Sequence, residues 1–154
     1  MTIVVASDAP EYTQTAVKDL VHYVREISGA ELPVVNSPQN SETPGIIWIG
    51  PHPELSRKHP QIDVAFTKPE ETLIQTSGKD LILAGNDVVA KSGTQLQAGT
   101  YLAVLSFIEN QLGVRWLWPG ALGTDIPKNT NIRIEPLSVR YTPQLHLRFI
   151  NMAN

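Results

Sequence analysis

No cysteine occurs in the 154 residues, which excludes disulfides, thiol nucleophiles and thiolate metal sites but leaves the compartment open. No apolar run approaches the ~20 residues that a membrane-spanning helix needs. Residues 1–6, Met-Thr-Ile-Val-Val-Ala, lack a basic stretch ahead of a long apolar one, so they read as a first strand and not as a secretion signal. Charge is sparse, at 18% of residues and net −3, and it offers no attraction to nucleic acid or an anionic membrane. Arg57-Lys58 beside His59 is the nearest approach to a basic cluster, and it reads as a solvated loop.

The signatures of chemistry are missing too. There is no HExxH and no GxSxG, and Gly93-Thr-Gln-Leu-Gln-Ala-Gly99 lacks the lysine and the preceding strand of a phosphate loop. His22 falls on a predicted helix, His52 and His59 on one flexible loop and His146 near the end, so no metal site is expected. Glu70 and Glu71 are adjacent, hence on opposite faces of a strand. Asp63, Asp80, Asp87 and Asp125 fall in or beside predicted turns, where aspartate serves local backbone hydrogen bonds. No carboxylate pair is placed for glycoside hydrolysis, and no catalytic residue and no cofactor are assigned.

What is present is the pattern of one globular domain, 42% hydrophobic and long enough to bury about two-thirds of its unfolded surface. Residues 2–6 predict a buried strand, with Ser7 or Asp8 as N-cap and Pro10 near the first helical turn. Ala16, Val17, Leu20, Val21, Val24 and Ile27 recur at helical spacing up to Gly29. Short strands are expected at 32–35 and 46–49, and a loop or one helical turn at 51–60. Residues 71–76 and 80–84 pair as a hairpin across Ser77-Gly78-Lys79. A polar loop over 86–98 leads into a second helix whose apolar face includes Leu102, Leu105, Phe107, Ile108 and Leu112, closed by Gly113 with φ above zero. Val114-Arg-Trp-Leu-Trp118 then reads as a strand, and 132–135 and 138–141 as two more. The order predicts an α/β (α+β) domain, a mixed sheet with two long helices packed on it. Whether both helices share a face is not legible.

Among the aromatics Trp48, Trp116, Trp118, Tyr101 and Tyr141, Trp48 and Trp116 sit inside apolar strands and are expected in the core. Trp118, at an element end before Pro119, is the ring expected at the surface, available to a sugar or to a neighbouring domain.

Five segments occur in order: Gly29-Ala-Glu-Leu-Pro33, Ile46-Ile-Trp-Ile-Gly50, Leu81-Ile-Leu-Ala-Gly85, Gly99-Thr-Tyr101 and Leu112-Gly-Val-Arg-Trp116. Their succession resembles the non-catalytic N-terminal domain that precedes the barrel in β-hexosaminidases, α-glucuronidases and related bacterial glycoside hydrolases. The resemblance implies a mixed sheet with two helices on one side, packed against a catalytic (β/α)8 barrel of the same polypeptide. Pro143-Gln-Leu-His-Leu-Arg148 resembles the start of the first barrel strand, whose arginine contacts substrate hydroxyls, and Arg148 matches by spacing. Phe149 follows where those enzymes usually carry glycine. Residues 1–142 would then be the accessory domain and 143–154 the start of an absent barrel, or a linker, since the chain stops well short of the ~250 residues a barrel takes. A secreted or periplasmic bacterial enzyme is the implied setting, without excluding the cytoplasm. The second reading is an independent carbohydrate-binding module. An accessory domain should expose a large apolar face, whereas a module should show a smaller aromatic platform beside polar groups. A small stand-alone enzyme lacks a site.

Overall fold

A computed structural model of the chain describes residues 1–38 and 45–144. Arg148 and His146 lie outside the described residues, and so does most of the 143–154 tail. Ten strands and three helices are described: β1 (Thr2–Val5), α1 (Glu11–Ser28), β2 (Val34–Val35), β3 (Ile46–Ile49), α2 (Pro53–Lys58), β4 (Thr72–Ser77), β5 (Asp80–Gly85), β6 (Asp87–Val89), β7 (Gln95–Ala98), α3 (Gly99–Asn110), β8 (Arg115–Trp116), β9 (Thr124–Asp125) and β10 (Ser138–Tyr141). Six strands form a mixed sheet in the order β10-β4-β5-β3-β1-β2. β2, β1, β3 and β5 run parallel, while β4 is antiparallel to both β5 and β10.

Period-two alternation divides the sheet residues between two cores. Ile3, Val5, Ile47, Ile49, Ile74, Leu81 and Leu83 face α1 and α3, which therefore share one side of the sheet. Val4, Ile46, Trp48, Leu73, Ile82 and Ala84 face the other side, covered by Leu55 of α2 and by Ile62, Val64 and Phe66 of the following loop. Such covering on both faces is why β3 and β5 read as unbroken apolar runs. Each fully buried Ile, Leu or Val there contributes about 1.5–3 kcal/mol.

Sequence and structure part company at defined places. α1 begins after Pro10, which caps it without a side-chain hydrogen bond, so neither Ser7 nor Asp8 is the cap. The 86–98 stretch is a hairpin, β6 with β7, and not a loop. Its residues are mostly polar because it lies outside the main sheet and buries little. Residues 132–135 form no strand. They form an irregular strap whose Ile132 and Ile134 pack on the core, and pairing with β4 starts only after Pro136, at Ser138 opposite Gln75. Only Arg115 and Trp116 of the predicted 114–118 strand pair, with Asp125 and Thr124, away from the main sheet. The β4–β5 hairpin closes on the two residues Gly78 and Lys79, one fewer than expected.

Gly113 adopts φ 81 after α3, and the Val114 N–H reaches back to the Ile108 carbonyl at 3.3 Å. A Cβ on Gly113 would make only an ordinary contact with Pro127, so the penalty for a side chain is conformational. Gly113→Val is expected to destabilise by about 1 kcal/mol or more, read as a shift in denaturant midpoint. No shift would mean that the left-handed turn is not needed.

Candidate functional site

Three places gather chemistry-bearing or exposed side chains. The first surrounds Asp80, which opens β5 and is 4% exposed. The parallel register of β3 and β5 sets it beside Ile46, whose N–H it accepts at 3.1 Å. It also accepts the Trp48 indole N–H at 3.0 Å, the Lys58 ammonium at 2.8 Å and His59 Nε2 at 2.8 Å. Because a carboxylate only accepts, His59 Nε2 carries a proton, and in the neutral ring Nδ1 accepts from the Ser77 hydroxyl at 2.9 Å.

Ser77, His59 and Asp80 thus stand in the order of a nucleophile, a base and an orienting acid, which the sequence did not suggest. Other features argue for architecture. The Asp80 oxygen facing His59 is shared with Trp48 and Lys58, and Ser77 is also hydrogen-bonded to Gln61 at 3.2 Å. Neither the larger recess near β5 nor the small crevice described next has Ser77 or His59 in its wall. The cluster locks α2 and the loop after it onto the sheet. Asp80 is accordingly a buried hub and not a turn residue. The 51–60 segment takes the helical alternative, α2, with His52 as its N-cap accepting from Glu54 N at 3.1 Å and His59 as its C-cap. Lys58 does not belong to a purely solvated loop either.

Glu71 is a second buried carboxylate. Buried at the start of β4, it accepts Arg140 Nε at 2.6 Å, and Arg140 donates to the Asp63 and Ala65 carbonyls at 2.8 Å, fastening β10 to the 63–68 loop. Asp63 does behave as a turn residue, accepting from Ala65 N at 2.8 Å. The Arg140 hydrogen bond holds the Glu71 carboxyl below its ordinary 4.5, against the opposing effect of burial. At Asp80 burial pushes upward, but the bonds from Lys58, His59, Trp48 and Ile46 prevail, and the carboxyl lies below its ordinary 3.8. A carboxyl lowered on folding adds stability above its unfolded value and loses it as pH falls through the folded one. These two groups should therefore leave stability level down to pH 4.5 and erode it below. Glu71→Gln should make that acid limb shallower, which urea midpoints between pH ~7 and ~3 would reveal.

The second place is the crevice beyond the carboxyl ends of β1 and β3, where chain order reverses and open α/β sheets usually bind ligands. It is small, about 170 Å³, with Asp8, Thr13, Gly50 and Asp87 in its wall. Asp87 is already committed, accepting the Thr100 N–H of α3 at 3.0 Å and the Thr13 hydroxyl at 2.9 Å. It caps the first turn of α3 and is more than a turn residue. No group of three or more potential metal ligands exists among the described residues.

The third place is the β8–β9 loop. Trp116 is 38% exposed, against the expectation of a core ring. Its strand lies off the main sheet, and its indole N–H donates to the Tyr23 hydroxyl at 2.7 Å with the rings edge-on at 5.6 Å. Beyond it Leu117, Trp118 and Leu122 are exposed at 65, 57 and 93%, so Trp118 is at the surface as expected. The loop is nonetheless fixed. Leu117 N donates to Gly123 O at 2.7 Å and Gly123 N to Gly120 O at 3.0 Å. Gly123 is buried against the Trp118 carbonyl, where a Cβ would overlap it. At the N-terminal ends of α1 and α3, Tyr12 stacks on Tyr101 with ring centres 6.0 Å apart. Burial, with Asp19 alongside, pushes the Tyr101 phenol upward.

No helix among the described residues is long and apolar enough to cross a membrane. No protein-family model matches the chain, and no curated protein does. Among solved structures, the fold is similar to part of a novel family GH115 4-O-methyl-α-glucuronidase with specificity for decorated arabinogalactans. The two share 13% identity at a TM-score of 0.61, over 92% of this chain and 17% of that protein. This chain has the α+β fold of one portion of a much longer, multidomain glycoside hydrolase.

Proposed function

We propose that the chain is a non-catalytic accessory domain of a glycoside hydrolase, packing against a catalytic (β/α)8 barrel of the same polypeptide. The observation that carries this reading is the likeness over 92% of the chain to only 17% of a glucuronidase. The β8–β9 loop supports it. Leu117, Trp118 and Leu122 are exposed on one hydrogen-bonded loop, an apolar surface that suits a protein neighbour. In this reading residues 143–154 lead into the barrel, Arg148 serves substrate in the intact enzyme, and the setting is secreted or periplasmic.

The purified chain is expected to turn over no member of an aryl-glycoside panel. Its buried carboxylates, Glu71 and Asp80, are saturated by structural donors. Turnover that disappears in Glu71→Gln or Asp80→Asn would overturn the reading.

A further inference from the structure

Between the C-terminal halves of α1 and α3 and the start of β5 lies a recess of about 860 Å³. The recess opens to solvent between exposed Lys79, Asn131 and Arg133, and its volume falls within the range of small-molecule sites, about 300–1,000 Å³. Leu20 and Val24 of α1, Phe107 of α3 and Leu112 line it on one side, and Ile132 and Ile134 of the strap close it on the other.

The strap is held only at its ends. Asn129 N donates to the Ile27 carbonyl at 2.9 Å, and Leu137 N to Thr76 Oγ1 at 2.9 Å, with Thr76 N returning a bond to the Leu137 carbonyl at 2.9 Å. Residues 132–136 between these anchors make no hydrogen bond to other described residues. Lifting them breaks no described hydrogen bond but takes Ile132 and Ile134 off the core cluster they pack against.

The charges in the wall are unbalanced. Lys79 and Arg133 both line the recess, are exposed, and have no ion-pair partner among the described residues. The one acid there, Asp80, is engaged by Lys58, His59, Trp48 and Ile46. An apolar chamber with two free cations suits a molecule with an apolar body and one anionic end. We propose that the space beneath the 130–136 strap binds an amphiphilic carboxylate, its apolar body against Leu32, Ile132 and Ile134 and its carboxylate at Lys79 and Arg133. This site is independent of the accessory-domain reading.

Titration of the 154-residue chain with dodecanoate, followed by calorimetry and by amide chemical shifts, tests it. The expected result is saturable one-to-one binding with shifts confined to α1, α3 and the strap. The double variant Lys79→Ala/Arg133→Ala should bind about five- to tenfold more weakly, and dodecan-1-ol should bind the unaltered chain more weakly than dodecanoate. Ile134→Trp, which fills the chamber, should abolish binding. Should that variant not fold, spin-labelled dodecanoate should broaden Leu32 and Ile132 resonances of the unaltered chain. Absence of saturable binding, equal affinity for the alcohol, or broadening located elsewhere would overturn the proposal.

Discussion

Asp80→Ala is expected to destabilise the domain by about 3–5 kcal/mol, the range for stripping one partner from a buried charged cluster. The loss would take a large share of the ~5–15 kcal/mol that holds a typical domain together. The carboxylate accepts the Ile46 and Trp48 N–H groups inside the sheet, and both are buried. His59 would lose its orienting partner, and with it the tie to Ser77 that fixes the end of α2 to the hairpin. Asp80→Asn should cost less, about 2–3 kcal/mol, because one acceptor survives while the new amide N–H₂ faces donors. Urea denaturation of the two variants gives the comparison. Equal stability of wild type and Asp80→Ala would mean that water satisfies these groups and that the cluster is not a hub.

Gly85→Ala should be nearly as damaging, at about 3 kcal/mol, the upper end for overpacking. A Cβ at Gly85 would fall well within 3.0 Å of the Gly99 carbonyl and of the Glu71 carbonyl, and a Cβ at Gly99 would strike the Asn86 backbone in the same way. All these obstacles are main chain, so no side chain can swing aside. The same atoms carry the joint between sheet and helix: Asn86 N donates to Glu71 O at 2.8 Å, Gly99 N to Asn86 O at 3.0 Å, and Gly85 N to Thr100 Oγ1 at 3.1 Å. Relief of the clash must push α3 away from β5 and disturb the Val104 and Phe107 packing. Unchanged stability in Gly85→Ala would show that the two backbones are not in contact there.

These two positions also explain what could be read in the sequence. Leu81-Ile-Leu-Ala-Gly85 and Gly99-Thr-Tyr101 were distinctive because each contributes a glycine to one close backbone crossing. The long helices, the apolar strands and the Gly113 turn followed from periodicity and from backbone sterics, which are local. Asp80 escaped because its partners lie 21 to 34 residues away and meet it only through the β3–β5 register. A signal was available in retrospect: a buried Trp48 N–H in an otherwise apolar strand demands an acceptor on the neighbouring strand. Trp116 was misplaced for the opposite reason. A five-residue aromatic run looks like core, but whether it joins the main sheet or a two-residue ladder outside it depends on the fold of the whole chain. The exposed Leu117-Trp118 edge was legible only as far as Pro119, which ends the strand.

In the proposed reading this chain serves a larger glycoside hydrolase through the apolar β8–β9 loop. Hydrogen exchange of the 114–126 peptide, compared between the isolated chain and the full natural gene product, tests it most directly. The expected result is marked extra protection of that peptide in a gene product that carries a barrel, together with loss of the protection in Leu122→Asp. A gene product without further domains, or exchange that is the same in both proteins, would contradict the claim.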